Sequence, residues 1–392
     1  MAHPGERLTV GRGTSRAGAD IGGTFTDVVA LDALGSIEVR KVVTTPNDPT
    51  EGLLAALAAL DPTPARGTTA ATGESASPSA GRAIELLVHG TTIATNALLE
   101  RRGARVVLVT TRGFEDLLWL RRQDRAALYD LARDHPAPLV APSDVVGVAE
   151  RIGATAVLEP LADSEIARVV ARVRALAPEA VAVALLFSFR DPAHERRLAA
   201  ALRQALPGVP VAPSHEVLPV FREFERTSTT TVEAYLRPKV SAYLEQVEDR
   251  LAGRGVGALR VMTSSGGTRA PAAASVHAAG LALSGPAGGV IGAQLVGAAV
   301  GLANLLTLDM GGTSADASLV ADGTPVSDGW GAVAGIPLAL PAVLIETVSA
   351  GGGSIARVDE GGALRVGPES AGAVPGPACY GRGGERPTVT DA

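Results

Sequence analysis

The chain has 392 residues, a formal net charge of −6, 46% hydrophobic and only 3% aromatic residues, with 46 Gly, 26 Pro and one Cys. At about 150 residues per domain this is room for roughly two to three domains, with aliphatic cores. The acidic balance argues against a nucleic-acid partner, the lone Cys379 rules out a disulfide framework or a Cys-based zinc site, and no apolar run approaches the roughly 18 residues of a membrane span.

Residues 1–17 are polar, lack an apolar signal core, and read as a short disordered leader on a cytoplasmic protein. Strands are expected at 17–21, 26–31 and 37–44, then a helix over 51–60 opened by Asn47-Asp48-Pro49-Thr50. Residues 61–82, rich in Pro, Thr, Ser, Ala and Gly, read as a mobile surface insertion. Beyond it strands (84–88, 105–110, 180–187, 209–212) alternate with helices (91–102, 163–177, 191–206), which points to an α/β architecture with a partly parallel sheet. Near Ser214 the pattern changes to a long helix over 221–251 with Pro238 as a kink. A strand (259–263), a small-residue helix (287–300) and a strand at 305–308 follow. Two domains are expected, 18–213 and 214–392.

One octapeptide occurs twice. Asp20-Ile21-Gly22-Gly23-Thr24-Phe25-Thr26-Asp27 can be laid over Asp309-Met310-Gly311-Gly312-Thr313-Ser314-Ala315-Asp316, with five of eight positions identical. Each copy follows one apolar stretch and precedes another, so each reads as a β-hairpin turning at Gly-Gly-Thr. Paired glycines allow close backbone approach, consecutive N–H groups in such a turn form an anion nest, and the threonine hydroxyl is a further donor. A leading carboxylate repels phosphate, a conflict that magnesium between them resolves, often through its own waters. The alternative is a plain tight hairpin whose Asp makes local hydrogen bonds; duplication in matching contexts favours phosphate. Two such hairpins facing each other would grip a polyphosphate from both sides, with Gly22, Gly23, Thr24, Thr26, Gly311, Gly312, Thr313 and Asp316 as its cradle.

These paired loops resemble the phosphate motifs of the actin, sugar-kinase and heat-shock-chaperone ATPases. More narrowly, the chain resembles the hydantoinase A / 5-oxoprolinase family, which includes the ATP-binding subunits of acetone carboxylases. The matching segments are ADIGGTFTD (19–27), HGTTIATNALLE (89–100), EFERTSTTTVEAYL (223–236), SGPAGGVIGA (284–293), LDMGGTSAD (308–316), SAGGGSI (349–355) and the GPESAGAVPGPACYGRGG run from Gly367. The resemblance implies a two-lobed actin-like ATPase (ribonuclease H-like) α/β fold with duplicated phosphate-binding hairpins. It also implies ATP and Mg2+ as cofactors, Asp20 and Asp309 as metal-organising acids, and a hydantoinase B-type partner subunit. Chains of this family continue well past the point matched by Ala392, so the second lobe, with its adenosine-binding motif, is expected to be incomplete here.

The implied activity is ATP-dependent opening of a cyclic amide, a hydantoin or 5-oxoproline-like lactam, by phosphorylation of its carbonyl oxygen. The alternatives are an ATP-dependent carboxylase subunit of the acetone carboxylase type, or a catalytically incomplete assembly subunit. His89 ends a strand at a sheet edge and is either a substrate-orienting residue, with Thr95 and Asn96 in the same pocket, or a core histidine. Ser284 reads as a helix cap, and the Ser349–Ser354 glycines as either a nucleotide contact or a turn. Arg222–Arg226 reads as a salt-bridged helix entry, and Cys379 as a packing residue.

Overall fold

The computed structural model describes residues 15–22, 25–43, 45, 48–60, 84–312, 314–348, 350–372 and 374–392. The expected insertion at 61–82 and most of the expected leader lie outside the described residues. The leader's last three residues, 15–17, belong instead to the first strand.

In chain order the elements used below are β1 (Ser15–Ile21), β2 (Phe25–Leu31), β3 (Ile37–Val43), α1 (Pro49–Ala58), β4 (Ile84–Thr91), α2 (Ile93–Leu99), β5 (Val106–Thr111), β6 (Val145–Val148), α3 (Asp163–Ala175), β7 (Ala180–Ala184), α4 (Ala193–Ala205), β8 (Val211–Pro213) and α5 (Glu223–Leu251). They continue with β9 (Val256–Met262), β10 (Thr268–Arg269), α6 (Ser284–Ala299), β11 (Leu305–Met310), β12 (Ala315–Ala321), β13 (Thr324–Pro325) and β14 (Ile345–Val348).

Three sheets carry the fold. The first runs β10-β9-β4-β1-β2-β3, with β4 parallel to both β1 and β9 and the remaining pairs antiparallel. Strict alternation orients it: Ala17, Ala19 and Ile21 turn inward while Arg16, Gly18 and Asp20 turn outward, the period of a strand with one buried face. Its inner face packs with α1 and α5 in one aliphatic core. The second sheet, β8-β7-β5-β6, is wholly parallel. Its central β5 and β7 are buried along their whole length, as both faces of a helix-flanked parallel sheet should be. The third pairs β12 with β11 on one edge and with β13 and β14 on the other; Leu305, Val320 and Ile345 pack against Ala287 and Val290 of α6.

Local chemistry explains the element ends. Asp48 accepts from the Thr50 N–H at 3.1 Å and Pro49 occupies the first turn of α1, a cap followed by a preset φ. The polar run Thr227–Thr231 is buried inside α5. Thr230 and Thr231 hydroxyls donate to the carbonyls of Arg226 and Thr227, so the helix itself satisfies them. Pro238 lies within α5 without ending it.

The expected strand 180–187 stops at Ala184 because the chain there enters a polar network. Glu195, fully buried on α4, accepts from the Leu185 and His215 N–H groups, the Ser214 hydroxyl and His215 Nδ1. Arg226, also fully buried, donates to Ser214 Oγ and to the Leu185 carbonyl and pairs with Glu223. This network ties the start of α5 to the carboxyl ends of β7 and β8. Truncating Glu195 leaves several buried donors without an acceptor, so Glu195→Ala should cost about 3–5 kcal/mol in urea unfolding, whereas a surface control such as Glu360→Ala should change stability by less than about 0.5 kcal/mol.

Candidate functional site

The duplicated octapeptide folds twice into the same object. Asp20 lies directly across from Asp27 in the β1–β2 register, and Asp309 directly across from Asp316 in β11–β12. The Gly22 N–H donates to the Phe25 carbonyl at 3.0 Å, and the equivalent Gly311 N–H donates to the Ser314 carbonyl at 2.9 Å. A Cβ at Gly22 would meet the Phe25 oxygen at 3.1 Å, a tight contact that a glycine avoids. Because those two N–H groups close their own turns, anion-facing donors have to come from the residues that follow them. Of these, Gly23, Thr24 and Thr313 lie outside the described residues.

Each closing aspartate is met by a third strand. Lys41 of β3 stands across from Asp27 and binds both its oxygens, at 2.8 and 2.9 Å, with its ammonium 4.7 Å from the Phe25 ring centre. Thr347 of β14 stands across from Asp316 and donates to it at 2.6 Å. The rows Asp20-Asp27-Lys41 and Asp309-Asp316-Thr347 are therefore topological copies that differ in one cation.

The two rows sense each other. Asp20 retains solvent contact, yet its carboxyl is hemmed in: a Cβ on Gly90 would lie 2.9 Å from its Oδ1, and one on Gly285 3.5 Å. Its pKa is raised, first by burial, then by the charges of Asp27 and Asp309, with Lys41 opposing. The carboxylates at 20 and 309 thus share one electrostatic environment. Gly285 is set there by α6, whose start is docked on the first sheet. The Ser284 hydroxyl donates to the Thr91 carbonyl at 3.1 Å, and the Leu283 N–H donates to Thr95 Oγ1 at 2.8 Å. Ser284 is accordingly the first residue of the helix, and its hydroxyl does not cap it.

Several expected site residues sit elsewhere. His89 is fully buried; its Nε2 lies 2.7 Å from the Tyr243 hydroxyl, and burial lowers its pKa to about 4. It is a neutral core histidine that joins β4 to α5, and it does not line an open pocket. The strand runs on through Thr91, three residues past its expected end at 88, and its alternation turns residue 89 inward. Thr26 is fully buried on the inner face of β2. Thr95 is engaged by Leu283, and Asn96 donates to Thr92. Cys379 is exposed, not packed, and its thiol is pushed up chiefly by its hydrogen bond to Asp391. Arg222–Arg226 does form ion pairs, Glu223 with Arg226 and Glu225 with Arg122.

The glycine run after β14 has a role that its sequence left open. Gly352 and Gly353 N–H groups donate to the carbonyls of Gly311 and Gly312 at 2.9 and 2.6 Å. A Cβ on Gly353 would meet the Gly312 oxygen at 2.8 Å. These glycines brace the second turn from behind, a contact invisible in sequence because the partners are some forty residues apart.

Among the described residues no group of three or more His, Cys, Asp or Glu forms a metal cage. The raised charge cost of Asp20, to which Asp309 contributes, would be relieved by a magnesium ion that keeps its waters and completes its shell with phosphate oxygens. Asp20 and Asp309 are the residues that would hold it. The fold favours the protonated form of Asp20, so its ionisation destabilises the folded state as pH rises through the raised pKa. Asp20→Asn should therefore raise the melting temperature by a few degrees at pH 7.5 and leave it unchanged near pH 3, where both side chains are neutral; calorimetric melts at the two pH values check this.

Comparison with known proteins meets this geometry from outside. Residues 16–206 match the hydantoinase/oxoprolinase N-terminal region and residues 226–392 match hydantoinase/oxoprolinase. The chain is 37% identical over 387 residues to the caprolactamase subunit alpha of Pseudomonas jessenii, covering 96% of this chain and 53% of that one. The crystal structure of the ATP-dependent caprolactamase from the same organism superposes with a TM-score of 0.78 at 36% identity, over 96% of this chain and 54% of that one. A nucleotide-free acetone carboxylase structure gives the same TM-score at 30% identity and the same coverage. The chain spans about half the length of these relatives, and its fold is of the actin-like ATPase type that they share. No helix among the described residues is long and apolar enough to cross a membrane. On the duplicated hairpins, the braced turns and these matches together, the chain belongs to the hydantoinase/oxoprolinase family.

Proposed function

We propose that this chain supplies the phosphate-gripping part of an ATP-dependent enzyme that opens a cyclic amide, a hydantoin or a lactam. The observation that carries the reading is the pair of identically closed glycine turns, each led by an aspartate, with Asp20 and Asp309 sharing one electrostatic environment. The ATP-dependent caprolactamase among the similar structures supports the reaction class.

An unstrained lactam resists water because nitrogen donation makes its carbonyl carbon a poor electrophile. In the proposed reaction the carbonyl oxygen attacks the γ-phosphorus of ATP as the nitrogen lone pair moves toward carbon. The new O–P bond forms, the bond from γ-phosphorus to the bridging oxygen breaks, and ADP leaves with that electron pair. Water then adds to the activated carbon, the C–N bond opens as the nitrogen takes a proton, which leaves an acyl phosphate, and a second water displaces phosphate from it to give the amino acid. Such a transfer needs chiefly positioning and charge neutralisation. In this reading Gly22, Gly311 and Gly312 shape the turns, and the backbone N–H groups of Gly23, Gly312 and Thr313 with the Thr24 and Thr313 hydroxyls face phosphate. Asp20 and Asp309 would hold magnesium, which when bound would neutralise phosphate charge. His89 holds Tyr243 and thereby β4 in place and does not touch substrate. A hydantoinase B-type subunit completes the hydrolysis.

A second reading has its own support: the likeness to acetone carboxylase is equal by TM-score, and phosphorylation of a ketone or bicarbonate needs the same grip. The two are separated by incubating the chain and its partner subunit with Mg-ATP and either caprolactam, 5-oxoproline and hydantoin, or labelled bicarbonate with a ketone. ADP release that requires a cyclic amide is expected; ring opening without ATP, or bicarbonate incorporation in its place, overturns the first reading.

Gly90 tests the site's shape. Its Cβ would press only on the far end of the Asp20 side chain, which can swing away, so Gly90→Ala should leave the melting temperature within about 2 °C. The displaced carboxylate should weaken Mg-ATP binding about tenfold by calorimetry, roughly 1.4 kcal/mol. Unchanged affinity would remove Asp20 from the nucleotide site.

A further inference from the structure

The second sheet has a strained edge that the proposed chemistry does not use. In its order β8-β7-β5-β6 the chain leaves β5 toward β6 and leaves β7 toward β8, on opposite sides. Open parallel sheets bind ligands at such a switch, outside the carboxyl ends of the strands. Backbone strain gathers there. Of the nine non-glycine residues with positive φ among the described residues, four lie in the segments that follow β5 and β7 or open α5: Arg121, Gln123, Phe187 and Arg222. Among them Arg121 ends a short helix, Leu117–Leu120, with φ 54° and ψ −131°. Glycine adopts that conformation freely, whereas a side chain makes it costly, and strain of this kind clusters at functional positions.

The Arg121 side chain lacks the partners that its neighbours have. Arg122, next in sequence, and Arg226 of α5 hold Glu225 and Glu223. Among the described residues no carboxylate pairs with Arg121, and its buried Nε has no hydrogen-bond partner. The guanidinium lies 5.6 Å from the Phe224 ring centre and lines a cavity of about 30 Å³ that opens to solvent. Three segments fix the walls: the loop after β5, the start of α5, and a hairpin that pairs Gly331–Val333 with Ile336–Leu338. A Cβ on Gly335 would meet Pro136 at 2.7 Å, and the Ser228 hydroxyl donates to the Pro337 carbonyl at 2.8 Å. Leu118, Leu139, Phe224 and Ile336 make most of the lining apolar. The Ser228 and Thr231 hydroxyls, also in the lining, both donate to backbone carbonyls.

We infer that this cavity is a binding site for a small monocarboxylate, gripped by the Nε edge of Arg121. An arginine presents Nε–H and one terminal N–H as a parallel fork that matches the two oxygens of a carboxylate, and here Nε is the donor left without an acceptor. The cavity volume has room for about two water-sized atoms, which are the two oxygens of one carboxylate, with the apolar body of the ligand lying toward Phe224 and Ile336. Arg121 is the one charged residue in the lining, so a single negative charge is matched and a phosphate group is not. No residue of the two aspartate rows lines the cavity; the site is additional to the proposed grip on phosphate. Two sources share this ligand chemistry: a lactam-derived acid, substrate or product of the proposed reaction, and an unrelated short-chain acid.

Calorimetry on the full chain with butyrate, 6-aminohexanoate and 5-oxoproline tests this, with butyramide and inorganic phosphate as controls. Carboxylate binding is expected, with butyramide and phosphate at least about tenfold weaker. Binding of butyrate as well assigns the site to short-chain acids in general; binding of the other two acids without butyrate assigns it to the proposed reaction. Arg121→Met keeps the stem against Phe224 and removes the fork, and Arg121→Gly also relieves the backbone. Each should weaken carboxylate binding at least about tenfold without lowering the melting temperature by more than about 2 °C. A larger fall in both variants makes Arg121 a structural residue and overturns the inference. So do affinity kept within about twofold in both variants, butyramide or phosphate that binds as well as the acids, and the absence of binding by all three acids. No readout involves nucleotide or metal, so failure of the proposed chemistry and failure of this inference are distinguishable.

Discussion

Like charges do not collect in a crevice unless the backbone forces them to, and this fold forces two aspartates into one electrostatic environment from separate sheets. Asp20 lies against Gly90, where a side chain would crowd its carboxyl, with Gly285 also beside it, and within the fields of Asp27 and Asp309. The result is a carboxyl whose charged form is disfavoured, a cost that a site built only for stability would shed by substitution. Everything else near the cleft serves to keep that juxtaposition: the closed turns, the docked start of α6, and the histidine–tyrosine pair beneath β4.

Helix α6 links the two halves of the arrangement. Its first turn is anchored to β4 and α2 through Thr91 and Thr95, which brings Gly285 against Asp20. Its body packs on the sheet that carries Asp309. A rotation of one hairpin relative to the other would have to break or carry this helix, so the spacing of the two acids is set by its docking. The small residues of the helix suit that position: a Cβ on Gly297 would lie 2.9 Å from the Leu302 carbonyl, and one on Gly288 3.3 Å from Met262.

The two hairpins are copies, but their supports differ. The first closing aspartate is held by a lysine and the second by a threonine, and the Gly352–Gly353 backbone braces the second turn. Duplication therefore gives two hairpins of similar backbone whose flanking rows differ in charge.

Much of this was legible in the residues themselves. The eight-residue repeat, its apolar flanks and its paired glycines disclose two hairpins because a Gly-Gly turn between alternating strands has few other solutions, and both turns close as that chemistry requires. The α/β alternation is likewise local, since helix and strand periods differ. What stayed hidden depends on register and on partners remote in sequence. Three further strand residues in β4 set His89 in the core, where Tyr243, over 150 positions away, completes its hydrogen bond. The buried Thr26, the strand end at Ala184 imposed by the Glu195 network and the brace behind Gly311 are of the same kind. Sequence alone thus determined which backbone turns exist and which residues lead them, because turn chemistry acts over a few residues. Only the tertiary structure decided which side chains face the cleft, because inward and outward positions alternate every residue and a single step of register exchanges them.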